Sequence, residues 1–244
     1  MITARVLGTS TNVALRDAVN AGRCAQRDVD NRYCMHEVNE MAIACPVDLD
    51  TLKLRAEIQS IYARVAADPS GEFHFHRGPG YAAQRLHYDA AELSRLPGTV
   101  TESFAGIGNP HAIAALPAGA TVVDVGCGAG TDLLLAALHV GPHGRAIGVD
   151  MTEAMRDRAR RGAAACGLAH VEVRAGEATA LPIETESADV VISNGVLNLV
   201  PEKQAAIAEI RRVLKPGGRV QIADIVLGVE LPEAARQDID LWTG

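Results

Sequence analysis

The stretch Val122-Val123-Asp124-Val125-Gly126-Cys127-Gly128-Ala129-Gly130 constrains this chain more than any other. A short β-branched run carries an acid near its end, and three alternating glycines follow before an alanine- and leucine-rich helix. Glycine lacks a Cβ, so the backbone can turn tightly here and come close to a ligand. The amides at the start of the next helix then face a negatively charged group. A dinucleotide fold spells G-x-G-x-x-G at this turn. Here the third glycine comes one residue early and Thr131 fills the expected place. Asp124, two residues before the first glycine, would repel a pyrophosphate but suits a ligand that carries an ammonium beside a carboxylate.

A chain of 244 residues can bury one substantial core, and its 48% apolar content is that of a globular protein. The formal charge of −7, with no basic stripe, argues against a nucleic-acid partner, and the scarcity of aromatic residues argues against base-stacking platforms. No apolar run reaches the ~18 residues of a membrane span, and Arg16 and Asp17 come before any long apolar block that would make a secretory signal. Five cysteines, odd in number and unevenly spaced, fit a reducing compartment better than a disulfide framework. The expectation is a soluble, cytoplasmic protein.

Three regions are expected: an extension over 1–48, expected to be disordered; a helical cover over 49–118; and an alternating strand–helix domain over 119–244. The extension holds Cys24, Cys34 and His36 without paired metal-ligand spacing, and Met41 offers an alternative start. From Asp50, a fair N-cap, Leu54, Ile58, Ile61, Tyr62 and Val65 repeat at helical spacing until Asp68-Pro69-Ser70-Gly71. Short helical pieces follow at Ala82–Leu86 and Ala90–Leu96, the second broken by Pro97-Gly98. Strands are expected at 121–125, 145–149, 170–174, 188–193 and 218–226, with helices near 129–140, 152–166 and 202–214. Gly167 marks one helix stop and Lys215-Pro216-Gly217-Gly218 another. Mainly apolar strands alternating with helices specify an α/β, doubly wound, mainly parallel sheet.

Ligands of such sheets sit at the carboxyl ends of the strands. Asp124, Asp150, Gly176 and Asn194 all fall there. Asp150 is placed to accept from two ribose hydroxyls, or to cap the helix behind Thr152-Glu153. Glu177 is placed to accept from an adenine amino group while the Ala178 amide donates to a ring nitrogen. Asn194 is expected at the methionine end of the ligand. The cofactor that combines these groups is S-adenosyl-L-methionine, whose methyl transfer asks mainly for near-attack geometry rather than a fixed triad; accordingly no catalytic residue is assigned. His74 and His76 share a side if their segment is extended, without a third metal ligand; His76 is a candidate base, His111 a candidate neighbour of the reactive end. Tyr62 and Tyr81 are candidates to line an acceptor cavity.

From about Leu54 onward the chain resembles the arsenite methyltransferases, within the class I S-adenosylmethionine-dependent methyltransferases and near the ubiquinone/menaquinone C-methyltransferases. The matching segments are Phe73-His74-Phe75-His76-Arg77-Gly78, Phe104-Ala105-Gly106-Ile107-Gly108-Asn109-Pro110 and Gly148-Val149-Asp150-Met151-Thr152. Two more are Ile192-Ser193-Asn194-Gly195-Val196-Leu197-Asn198-Leu199 and Arg212-Val213-Leu214-Lys215-Pro216-Gly217-Gly218-Arg219. The resemblance implies a Rossmann-like methyltransferase with cofactor contacts at Asp124, Gly126, Asp150, Met151, Glu177, Ala178 and Asn194, to which the glycine turn adds Cys127 and Gly128, and the end of strand 170–174 adds Gly176. It implies a trivalent arsenical or a small molecule as acceptor. Arsenic-methylating relatives hold As(III) by thiolates, where this chain has Gly195 after Asn194 and Ala63-Arg64 after Tyr62; Cys45 is a loose match. The resemblance also implies further strands after the fifth, so strand 218–226 is expected to present an open edge for self-association or a partner. Two rival classes are a nicotinamide-dependent oxidoreductase, disfavoured by Asp124 and the glycine spacing, and a cofactor-binding fragment without turnover.

Overall fold

The computed structural model describes residues 50–225 and, for their backbone, residues 4–6. Cys24, Cys34, His36, Met41 and Cys45 therefore lie outside the described residues. Among these, six strands form one wholly parallel sheet: β1 (Ala4–Val6), β2 (Thr121–Val125), β3 (Arg145–Asp150), β4 (Val171–Ala175), β5 (Ala188–Asn194) and β6 (Leu214–Ala223). Their spatial order is β1-β6-β5-β2-β3-β4. The chain thus winds outward in both directions from β2, which places the switch point, and the crevice such a fold opens, between β2 and β5.

The helices of the strand–helix domain are α5 (Thr131–Val140), α6 (Glu153–Ala165) and α7 (Lys203–Val213). Strand alternation explains their placement. Val122, Val190 and Ile192 meet Ala136 and Val140 of α5 on one face, while Val123, Val125 and Val191 meet Ile210 and Val213 of α7 on the other. Asp124 shares the α5 face with Val122. Helix α6 ends in a Schellman motif: the Gly167 amide reaches Ala164 O (3.1 Å), the Leu168 amide reaches Ala163 O (3.0 Å), and Gly167 adopts φ +66°.

The cover consists of α1 (Thr51–Ala67), α2 (Gly78–Leu86) and two single turns, α3 (Ala90–Leu93) and α4 (Gly98–Thr101). Asp50 caps α1 by accepting from the Lys53 amide at 2.9 Å. Buried Leu54 and Ile58 pack with Tyr62, Met151 and Leu199, so α1 is held down over the carboxyl ends of the strands.

Several expectations need correction. Pro97-Gly98 does not simply break a helix; Pro97 is the cap residue of α4. Helix α5 starts at Thr131 rather than 129, because Gly130 with φ +98° still belongs to the turn. Extended backbone resumes directly at Leu214, with an irregularity in register between Ala188 and Val190 of β5, so the last strand runs Leu214–Ala223 rather than 218–226. Its outer edge is covered in part: β1 pairs with it over Val220–Ile222, in the registers Ala4↔Val220, Arg5↔Gln221 and Val6↔Ile222.

Candidate functional site

A cleft of about 1120 Å³, counted to its open mouth, lies under α1 at the carboxyl ends of β2, β3 and β5. All ten residues picked from the sequence line it: Asp124, Gly126, Cys127, Gly128, Asp150, Met151, Gly176, Glu177, Ala178 and Asn194. The glycine turn is shaped by its missing side chains. Gly126 sits at φ +73°, and a Cβ there would run into the Val196 side chain; Gly128 at φ +52° faces open space.

Asp124 is the anomaly of the cleft. It is 2% exposed, and its Oδ2 is buried with no hydrogen-bond partner. Burial pushes its carboxyl well above the usual range, the charges of Asp132 and Asp150 add to that, and the Leu133 amide pulls the other way. The free amide expected at the helix start is thus turned onto Asp124. A buried carboxylate oxygen without a donor costs free energy that a proton, a cation or another hydrogen-bond donor would offset.

Asp150 is better supplied. Its Oδ2 accepts from the Gly128 amide at 2.9 Å and its Oδ1 from the Thr152 amide at 2.8 Å, so it braces the glycine turn and the start of α6 together. Burial nevertheless raises its pKa against those bonds. A carboxylate has about four acceptor positions, so two remain for a ligand. Glu177 lies 3.5 Å from the Arg55 guanidinium, which also reaches Glu202 at 3.2 Å, so α1 is tied to both lips of the cleft.

Asn194 carries a structural task as well as its place in the cleft. Its Oδ1 accepts from the Ile107 (2.9 Å) and Gly108 (3.2 Å) amides, and its Nδ2 lies within bonding distance of Gly108 O, the Tyr88 hydroxyl and Asp132 Oδ2. The side chain lines the cleft and at the same time fixes the 104–109 loop to the end of β5. Gly106 makes that possible, since a Cβ would strike the Asn194 amide. Cys127 lines the turn, but burial pushes its thiol well above the ordinary range, which keeps it a packing group.

The remaining candidates divide. Tyr62 reaches the cleft; burial, then the charges of Asp150 and Asp224, pushes its hydroxyl up to about 12. Tyr81 does not, and packs instead in the cluster of Leu86 and Leu93. His76 lies against Tyr81, with ring centroids 5.2 Å apart, outside the cleft wall, so it is no base for an acceptor there. His111 sits behind the wall, with Nε2 3.2 Å from Asp132 Oδ1 and neither ring nitrogen in a hydrogen bond. Among the described residues no three His, Cys, Asp or Glu side chains are placed to hold a metal ion, and no helix is long and apolar enough to cross a membrane. Sequence reasoning missed Arg55, Ser103, Asp132 and Val196, which also line the cleft. Asp132 had a signal: it is the lone acid in the apolar run of α5.

Residues 116–243 match the model of the methyltransferase domain family. The chain belongs to that family. The match covers more than half of the chain, and within the family the chain is arsenite methyltransferase-like, of the S-adenosyl-L-methionine-dependent class I kind. It is 39% identical over 234 residues to the arsenite methyltransferase of Halobacterium salinarum, covering 91% of this chain and 59% of that protein. It is 37% identical over 117 residues to the nocamycin O-methyltransferase of Saccharothrix syringae, covering 48% of this chain and 40% of that one. Among solved structures it resembles an arsenic(III) S-adenosylmethionine methyltransferase from Chlamydomonas reinhardtii, with a TM-score of 0.57 and 37% identity over 62% of this chain and 53% of the other. The chain therefore spans somewhat over half the length of these arsenic-methylating relatives.

Proposed function

We propose that this chain transfers a methyl group from S-adenosyl-L-methionine to a small acceptor, with trivalent arsenic as the first candidate. The observation that carries the reading is the unpartnered Asp124 Oδ2, buried at the floor of a glycine-lined cleft. A bound ammonium would give that oxygen the donor it lacks, so the residues present fit the cofactor. When bound, the cofactor supplies a methyl group on a sulfonium, open to in-line displacement.

Each wall then has a part. Asp124 holds the ammonium. Asp150 keeps two acceptor positions for ribose hydroxyls while its bonds to Gly128 and Thr152 fix its direction. Met151, with Ile58 and Leu199, forms an apolar wall for the base; Glu177 and Ala178 meet its polar edge. Gly126 and Gly128 let the ligand lie on bare backbone, and α1 keeps water from the reacting atoms. Holding two reactants in near-attack geometry contributes about 7–11 kcal/mol, which is the order of help such a transfer requires.

A specific observation supports a second acceptor class, a quinone-like or phenolic molecule. Within the described cleft wall the sole cysteine is Cys127, whose thiol is kept protonated by burial, whereas Tyr62, Leu199, Val200 and Pro201 give an apolar lining. The likeness to an O-methyltransferase agrees with it. Two measurements test these readings. Calorimetry with S-adenosylhomocysteine should show saturable binding, and its absence on folded protein would end the methyltransferase reading. Incubation with methyl-labelled cofactor, arsenite and a thiol should yield methylated arsenic; label appearing only on a quinol or phenol would replace arsenic with the second class.

A further inference from the structure

Asp132 is the strongest feature of the molecule that the reading above leaves unused. It stands in the first turn of α5, is 7% exposed, and lines the same cleft as Asp124. Its two oxygens are well supplied: Oδ1 accepts from the Tyr88 hydroxyl at 2.6 Å and Oδ2 from the Asn194 amide at 3.0 Å. Asp124 has only the Leu133 amide, and its Oδ2 has nothing. Two carboxyl groups thus share one dry site, one furnished for a charge and the other not.

We infer that Asp124 and Asp132 form an acid pair that holds one proton, on Asp124, in the ligand-free cleft, and releases it when the ligand's ammonium enters. This rests on the reading that the cleft takes a sulfonium nucleoside. The proton leaves an Asp124 oxygen for solvent, the carboxylate it leaves behind pairs with the –NH3⁺ group, and the charge of the site is conserved. Two like charges in a desolvated site resist ionising together, which is the sense in which burial and Asp132 push the Asp124 carboxyl up.

The groups that face the pair come from several elements. Asp150 of β3 adds a further negative charge, and the Cys127 thiol on the turn is kept neutral. Tyr88, in the segment between α2 and α3, has its hydroxyl pushed well above the usual range by burial and by Asp132, so it serves as a neutral donor. His111, from the turn Pro110–Ala112, brings its ring within 3.2 Å of Asp132 Oδ1 and stacks edge-on against His139, which contacts Glu92 at 2.8 Å. The contact that His111 makes is to Asp132, the member of the pair already furnished with donors.

The test is calorimetry on the full chain with S-adenosylhomocysteine, in pairs of buffers matched in pH but unlike in ionisation enthalpy. 5′-Methylthioadenosine, which shares the nucleoside and lacks the ammonium, is the comparison ligand. The expected result is proton release with S-adenosylhomocysteine alone, approaching one proton in the acid range and vanishing in the alkaline range. Its affinity should rise with pH by up to about tenfold per unit across that window, while that of methylthioadenosine stays flat. Asp132→Asn should shift the release to lower pH, and Tyr88→Phe, which strips a donor from Asp132, should shift it higher. Buffer-independent heats for both ligands, or equal release with both, would overturn the inference. Carboxyl-carbon NMR of the ligand-free protein supplies a readout that needs no ligand. The aspartate signal that vanishes in Asp124→Asn should titrate well above the ordinary carboxyl range; its titrating within that range would sink the acid pair even if the nucleoside binds. If no nucleoside binds, the proposed function falls while this titration still decides the pair.

Discussion

The two ends of the sheet treat their carboxylates in opposite ways. At the amino end, Asp189 accepts from the Thr121 amide (2.8 Å) and from Lys215 (2.9 Å), and its pKa falls: burial works against ionisation, but those donors outweigh it. On the periphery of the fold, Glu209 is clasped by Arg212 and the Leu181 amide, and Glu172 by Arg174 and Arg145; both are lowered. At the carboxyl end, Asp124, Asp150 and Asp224 are all raised, with burial the largest cause in each. The periphery of the fold is built so that its acids stabilise it when charged. The carboxyl end keeps acids whose burial costs stability, which is the pattern expected where function outranks stability.

The largest effect should come from filling the turn. Gly126→Val needs a side chain at φ +73° and inside Val196; strain and overpacking together should cost roughly 2–5 kcal/mol and abolish nucleoside binding, read by denaturant unfolding and calorimetry. Asp124→Asn should separate the two ends. Binding of S-adenosylhomocysteine should weaken by about 30- to 1000-fold, that is ~2–4 kcal/mol. Stability should move the other way. A carboxyl whose folded pKa is raised costs stability once pH climbs past its unfolded value near 3.9, increasingly up to the folded one. The melting temperature of Asp124→Asn should therefore exceed that of the parent at neutral pH, with the gap closing toward pH 4. A gap that widens in acid would refute this account of the cleft. Asp189→Ala is the converse: it strands the Thr121 amide and Lys215, so it should cost about 1–2 kcal/mol of stability and leave nucleoside affinity unchanged. Its contribution is present above the unfolded carboxyl pKa and disappears as pH falls through the folded value. The smallest effect belongs to Arg55→Gln. The Arg55 pairs with Glu177 and Glu202 are partly exposed, so their loss should change affinity by less than about fivefold, and the difference should shrink further at high salt.

Much of this plan is legible in the residues. The five main strands and three flanking helices stand close to where apolar runs and their stops put them, because each run is bounded by a residue that cannot continue it: Gly167 after α6, the turn Gly126–Gly130 before α5. What escaped has physical reasons. β1 is three residues long and borrows its stability from β6, more than two hundred positions away, so no local period announces it. The start of β6 was misplaced because proline and glycine normally end structure, whereas here the backbone simply extends through them. The ten cleft residues share a location that strand ends dictate, but their uses depend on neighbours. Asn194 holds the 104–109 loop as well as its place in the cleft, and Asp132 gains its place only from Tyr88 and Asn194, which lie far from it in the chain.

That single amide of Asn194 has a mechanical consequence. The loop bearing Ile107 and Gly108, the Tyr88 hydroxyl and the first turn of α5 all meet on it. None of these parts can swing aside by itself without stranding a polar group in the dry interior. The roof over that end of the cleft should accordingly open as one cooperative unit, its backbone amides trading hydrogen for deuterium together rather than one by one.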